Sequence, residues 1–401
     1  MDLGNGLGHL SYSTLVHPGD TWEEMWNSLT TYVPEVKARV APDRRFGVSL
    51  RLSGASAGRL IADADERQRL KTFLDDHDMY LYTVNAFPYG PFKKRLVMED
   101  VYEPDWRTDQ RAEYTMQVAD IVAEVCGEDV NPSIQSVPLG FKGNIGSDDV
   151  VHAFTSQVLR VIAHLIGLES STGRTVTLAL EPEPHCYLET TTETIDFFES
   201  RIYGHAAADA LAGLAGLSLE DAHIALRRHL GVVFDIGHQA VQFEDVDASL
   251  KRLADAGIPV LKLQEAAALH VPEVTQDAID ALRPFTDTVY LSQTVQKKDG
   301  QLTRFLNLAD AIAQWKGDSG PCEWRTHFHV PVFLDDLGAL RTTRFAIEDA
   351  LAFHERNRLS THLEIETYTW DVLPSHLKEG SIVDYVTREL EWVVGQLTAD
   401  K

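Results

Sequence analysis

Short runs in which nearly every position is apolar recur along the chain, separated by longer stretches in which apolar residues return every third or fourth position. The runs are GHLSYST (8–14), FGVSLRL (46–52), MYLYTVNAF (79–87), SIQSVPLG (133–140), TVTLALEPE (175–183), GVVFDIG (231–237), PVLKLQ (259–264) and THLEIET (361–367). Unbroken apolarity suits a strand covered on both faces, as in a parallel sheet with helices outside. The intervening stretches carry helix signals. TWEEMWNSLTTYVPEV opens with Thr21 and Glu24 at capping-box spacing and sets Met25, Trp26, Leu29 and Val33 on one stripe. TTETIDFFESRI repeats the device with Thr190 and Glu193, and DVDASLKRLADAG starts on a capping acid and stops at Gly257. Regular alternation of this kind predicts an α/β fold, a (β/α)8 TIM barrel, with a doubly wound open sheet as the alternative.

Two segments break the alternation. Residues 91–110 read as a long loop after the third strand, and residues from about 270 to 330 are too many for one barrel connection. Within the second, two extended arms flank Lys298, Asp299 and Gly300, a hairpin signal, and CEWRTHFHVPVF adds another strand-like run. The expectation is one TIM-barrel domain over residues 1–401, with an inserted hairpin or lid before the last strand that caps the barrel mouth and turns Arg325, His327 and His329 toward the pocket.

Charge and composition narrow the partners. A formal net charge of −25 opposes a nucleic-acid backbone, which is bound through clusters of Lys and Arg. The first residues lack the basic and apolar regions of a secretory leader, and no apolar run approaches the ~20 residues of a membrane span. Cys126, Cys186 and Cys322 lie far apart and are odd in number, which gives neither a disulfide framework nor a metal motif. A cytoplasmic protein with no membrane insertion is expected; an oligomer is possible.

In such a barrel the site lies at the C-terminal ends of the strands. The fifth strand ends on Glu181 and Glu183, the sixth on Asp235 and His238, the seventh on Gln264 and Glu265, and the eighth on Glu364 and Glu366. Glu181, Asp235 and Glu366 supply one carboxylate at each of three strand ends, oxygen ligands suited to a divalent cation, and Gln264 or a histidine would complete the set. Each has a plainer reading. An Asp at a strand end is often a helix cap, and the glutamates of EPEP suit a solvated loop. Three strands ending alike weigh toward function, since an unpaired buried charge is costly. His327 and His329 share a strand face and suggest a polar pocket wall. Asn85, Arg51 and His17 are weaker candidates, each a substrate contact or a structural residue.

LALEPEP, FDIGHQAVQFED and the final LEIETY together resemble the xylose isomerase-like TIM barrels, sugar (phosphate) isomerases and epimerases. SYSTLVHPGDTW, NAFPYG, EPEPHCYLETT, RTHFHVPVF and EIETYTWDVLP resemble, within them, the metabolite-traffic proteins of the EboE type, across nearly the whole chain. The resemblance implies a divalent ion (Mn, Mg, Co or Zn) held by Glu181, Asp235 and Glu366. At the seventh-strand position, often His in these proteins, stands Gln264, so the fourth ligand is Gln264 or His329. It further implies catalytic roles for Glu181 and Glu366 and a substrate contact from His238; Glu183, Asn85, Arg325, His327 and His329, read from their positions in the sequence, are the other candidate contacts to a small polyol or sugar-like metabolite. The implied reaction moves a proton through a metal-stabilised enediolate. The alternatives are a metabolite carrier without turnover and, against the −25 charge, an endonuclease-like metallohydrolase.

Overall fold

The computed structural model describes residues 1–93, 96–127, 129–286, 289–317 and 320–398. Lys94 and Arg95 of the expected loop, and Asp287, Thr288, Asp318 and Ser319 of the expected insertion, lie outside them. Thirteen strands are present among the described residues: β1 (His9–Tyr12), β2 (Phe46–Arg51), β3 (Met79–Asn85), β4 (Ser133–Ser136), β5 (Thr177–Leu180), β6 (Leu230–Asp235), β7 (Val260–Glu265), β8 (Ala267–Val271), β9 (Thr294–Lys298), β10 (Gln301–Phe305), β11 (Glu323–Val330), β12 (Arg341–Thr342) and β13 (His362–Ile365).

Eight of them pair in parallel in the order β1-β13-β7-β6-β5-β4-β3-β2. The two ends of this sheet meet through a parallel bridge between Ser13 and Ser49, and the Arg51 backbone N–H donates to Thr14 Oγ1 at 2.8 Å. The closed sheet is a TIM barrel, and its strands coincide with the eight apolar runs, β6 starting one residue before its run at Leu230 and β7 ending one residue after its run at Glu265. They are shorter than the runs where proline, lacking an N–H, follows: β4 stops before Pro138 and β5 before Pro182.

The helices follow their capping signals. Both capping boxes form, Thr21 with Glu24 at the start of Trp22–Val40 and Thr190 with Glu193 at the start of Thr191–Phe197. Asp245 caps Val246–Asp255, which is followed by Gly257 at φ 67°, a left-handed turn that suits glycine. Met25, Leu29, Val33 and Val36 form the buried stripe of the first helix. One helix, Asp148–Thr172, is long and apolar enough by composition to cross a membrane, which the sequence reading did not anticipate. In this fold it packs around the barrel, burying Phe154, Val158, Val161, Ile162 and Leu165.

The insertion is wider than 270–330. It runs from β8 to β12 and builds a five-stranded antiparallel sheet in the order β10-β9-β11-β8-β12. β8 follows β7 after Ala266 alone. Its AALHV sequence is poor in β-formers, and β12 has two residues, so neither gives a period to read. The hairpin forms where expected: Lys298 pairs with Gln301 across Asp299 and Gly300, both at positive φ, as a two-residue turn requires.

That hairpin is no free lid. β10 faces solvent, whereas β9 lies between β10 and β11 with Val295 fully buried. Deleting residues 294–304 is therefore expected to unfold the second sheet, because it leaves one edge of β11 unpaired and uncovers Val295. Loss of soluble protein or a lowered melting temperature would show it; a deletion variant that melts like the parent would mean that this sheet is dispensable.

Candidate metal centre

The C-terminal ends of the barrel strands meet over one polar cluster. At its centre is the Gln264 amide at the end of β7, whose Nε2 lies 3.1 Å from Glu181 Oε1, 2.9 Å from Asp235 Oδ2 and 2.7 Å from Glu366 Oε2. Each carboxylate is held from a second side. Gln135 of β4 donates to Glu181 Oε2, and Asn85 of β3 donates to Glu366 Oε1 at 2.9 Å. Asp235 is both helix cap and cluster member: Oδ1 accepts from the His238 backbone N–H at 2.9 Å while Oδ2 faces Gln264.

The donors and acceptors do not balance. An amide NH2 has two hydrogens, and three carboxylates surround it; Gln264 Oε1, also buried, has no partner among the described residues. Turning the amide by 180° would bring its oxygen to the three carboxylates, a ring of acceptors that a cation would hold together. Burial raises Glu181 and Glu366 well above the usual carboxylate range, with the neighbouring carboxylates adding to the effect, and it raises Asp235 as well. The set therefore suits a divalent ion, with Glu181, Asp235, Glu366 and the Gln264 oxygen as ligands. Among the described residues, ligand atoms of Glu181, Asp235 and His238, and of Asp235, His329 and Glu366, lie close enough together to share one ion.

A second charge pair sits along β13. Glu364, on the same face as Glu366 by alternation, lies 3.2 Å from Lys262 Nζ of β7 and accepts from Ser49 Oγ. Lys262 also donates to Gln135 Oε1 at 2.6 Å, so Lys262, Gln135 and Glu181 form one chain of hydrogen bonds. Lys262 and Gln135 were not singled out from sequence. The one signal available was a lone lysine inside the apolar run PVLKLQ.

His238, His327 and His329 all reach the cluster and are buried, and burial lowers each: His238 to about 3, His329 to about 4 and His327 well below its usual value. Glu183 lies beside them, its carboxyl pushed up to about 8 by burial, with Gln293 Nε2 3.4 Å from Oε1. Gln293, another residue the sequence reading passed over, comes from the insertion.

A cavity partly open to solvent lies above the cluster. Its floor includes Asn85, Glu181, Glu183, His238, His327 and Glu366. Its walls are largely aromatic and apolar, with Phe87, Phe92 and Tyr102 from the barrel loops, Tyr290 and Leu291 from the insertion, and Tyr368 after β13.

Arg325 is placed elsewhere, contrary to expectation. It lies two residues before His327 on β11, in unbroken register with β9, and is not among the residues that line the cavity. It pairs with Glu323 and donates to Ala240 O, with its guanidinium 4.1 Å from the Phe243 ring centroid. Arg51 and His17 are structural: Arg51 bonds Asp20 and Gly90 O, and His17 stacks on Tyr32 and bonds Tyr12.

No family model matches the chain, and no curated protein does. Among solved structures it is similar to a xylose isomerase-like TIM barrel protein from Mycobacterium smegmatis in complex with magnesium (10% identity, covering 97% of this chain and 99% of that one, TM-score 0.48). It is similar also to a putative sugar phosphate isomerase/epimerase from Anabaena variabilis (12%, 98% and 99%, 0.48) and to a xylose isomerase domain protein from Planctomyces limnophilus (14%, 90% and 90%, 0.47). The chemistry assigned to the site rests on its own side chains.

Proposed function

We propose that the protein is a metal-dependent isomerase or epimerase of a small polyol, cyclitol or sugar-like metabolite, and that it serves metabolite traffic of the EboE type. One observation carries this reading: two buried carboxylates, Glu181 and Glu366, stand on either side of Gln264 Nε2, at 3.1 and 2.7 Å, on the floor of a cavity. When bound among Glu181, Asp235, Gln264 and Glu366, a divalent ion (Mn, Mg, Co or Zn) supplies a Lewis acid beside the substrate oxygens.

The chain's own groups do the rest. Moving hydrogen between adjacent carbons, or inverting one carbon, needs a base to take a proton and an acid to return one. Glu181 and Glu366 come from β5 and β13, separated by β6 and β7, so they approach a bound substrate from different directions. Asn85 and Gln135 fix their orientation. Glu183, whose carboxyl keeps its proton up to about pH 8, is a donor toward a substrate hydroxyl. The aromatic walls restrict water around the reacting carbon.

A carrier would hold the same metabolite without turnover, so the test asks for chemistry. Candidate ketoses and cyclitol ketones are incubated with metal-loaded protein in D2O and followed by NMR. Deuterium should enter at the carbon next to the carbonyl, and EDTA-treated protein should lose the activity. A compound that binds tightly to the metal-loaded protein and exchanges no hydrogen would replace the enzyme with a carrier.

A further inference from the structure

Beneath the carboxylate ring the barrel interior holds a second polar set. Such interiors are ordinarily filled by branched apolar side chains. Here Lys262 of β7 and Glu364 of β13, both 0% exposed, form an ion pair at 3.2 Å. Each stands two residues before a member of the ring, Gln264 or Glu366, and so on the same strand face. Taking an ion pair out of water is costly, and apolar residues of similar volume often hold such a position as well or better. The pair therefore needs a reason beyond stability.

Its hydrogen bonds supply one. An ammonium only donates, so the bond from Lys262 Nζ to the Gln135 amide, at 2.6 Å, falls on Oε1. That fixes the amide: Nε2 is left to face Glu181, donating to Oε2 and leaving Glu181 Oε1 toward Gln264. A Gln135 free to turn would set an oxygen against the carboxylate. Glu364 acts on the other side. Its Oε2 takes Lys262 and Ser49, while its Oε1 has no partner among the described residues. Glu364 and Gln264 are register partners on adjoining parallel strands, so their side chains leave the sheet on one face. An amide turned to give its oxygen to an ion carries Nε2 away from the ring, and Glu364 Oε1 is the unpartnered acceptor at the paired position.

We propose that Lys262 and Glu364 are positioning residues for the ring: Lys262 holds Glu181 through Gln135, and Glu364 holds the Gln264 amide with its oxygen toward the ion. Groups that orient ligands in this way typically contribute about 10- to 100-fold to metal affinity. The inference rests on the reading of Glu181, Asp235, Gln264 and Glu366 as ligands.

Mn²⁺ affinity and metal-free stability, measured together on full-length protein, test it. Lys262→Met/Glu364→Leu removes both charges at similar volume. Calorimetric titration should show Mn²⁺ binding about 10- to 100-fold weaker than the parent's, while the EDTA-treated variant melts no lower than the EDTA-treated parent. A pair that merely fills the barrel would give the reverse, a lower melting temperature with an unchanged Mn²⁺ constant, and that result would overturn the proposal. So would a fall in both, which marks general damage to the barrel. Where the apolar variant does not fold, Lys262→Gln/Glu364→Gln takes its place. Its amides leave partners for Ser49 and Gln135 but no group that only donates, so the same loss of affinity is expected, and parent-like affinity would overturn the proposal. A parent protein that takes up no Mn²⁺ would overturn the ring itself and the proposal with it; a parent that binds, beside a variant that binds equally, overturns the proposal alone.

Discussion

Glu366→Gln is expected to slow deuterium exchange by roughly 10²- to 10⁴-fold, the range that a positioned acid or base contributes. The substitution preserves shape. Its amide keeps an oxygen for Asn85 Nδ2, which now donates to Oε1 at 2.9 Å, but it turns an NH2 toward Gln264 Nε2, where Oε2 stands at 2.7 Å. The site loses a proton acceptor and one anionic oxygen together. Glu220→Gln, on an exposed helix turn outside the lining of the cavity, should exchange at the parent rate. Initial rates at saturating metal make the comparison. A Glu366→Gln rate equal to the parent's would place the base on another residue.

Removing metal is expected to destabilise the protein, and more so as pH rises. Burial raises Glu181, Glu366 and Asp235, and holds Glu183 at about 8 against an ordinary value of 4.5. In metal-free protein these carboxyls keep protons that the unfolded chain has already released. Their contribution to stability is complete below about pH 4.5 and is lost as pH climbs through the folded-state values. A divalent ion reverses the cost, because it binds the ionised form and so binds more tightly at higher pH. At a hundredfold excess over Kd it adds roughly 2.7 kcal/mol, or a few degrees in melting temperature for a chain of this size. Melting curves at pH 6, 7 and 8, with EDTA and with Mn²⁺ or Zn²⁺, should diverge most at pH 8. Superimposed curves at every pH would speak against a bound ion.

The barrel was largely legible because its strands are buried on both faces, and such strands announce themselves as unbroken apolar runs. The two capping boxes and the Asp299-Gly300 turn were legible for the same local reason: each is a rule about neighbours. What escaped depends on distant partners. β8 and β12 exist because β11 pairs with the one and the first pairs with the other, not because AALHV or Arg341–Thr342 prefers to be extended. Arg325 was expected at the pocket with His327 and His329, but its guanidinium turns to Glu323 and Phe243, partners that lie outside anything strand alternation could name. Lys262 and Gln135 became intelligible only once Glu181 and Glu364 were placed around them. Asp235 shows that the plain and the functional readings of a residue need not compete: one oxygen caps a helix and the other faces the cluster.

The central claim is that a cation belongs where Gln264 now meets three carboxylates, and a crystal grown with Mn²⁺ tests it most directly. An anomalous difference map should show a peak among Glu181, Asp235, Gln264 and Glu366, with the Gln264 amide turned so that its oxygen faces the ion. A map without that peak, from protein that elemental analysis also finds free of metal and with Gln264 Nε2 still directed at the carboxylates, would contradict it.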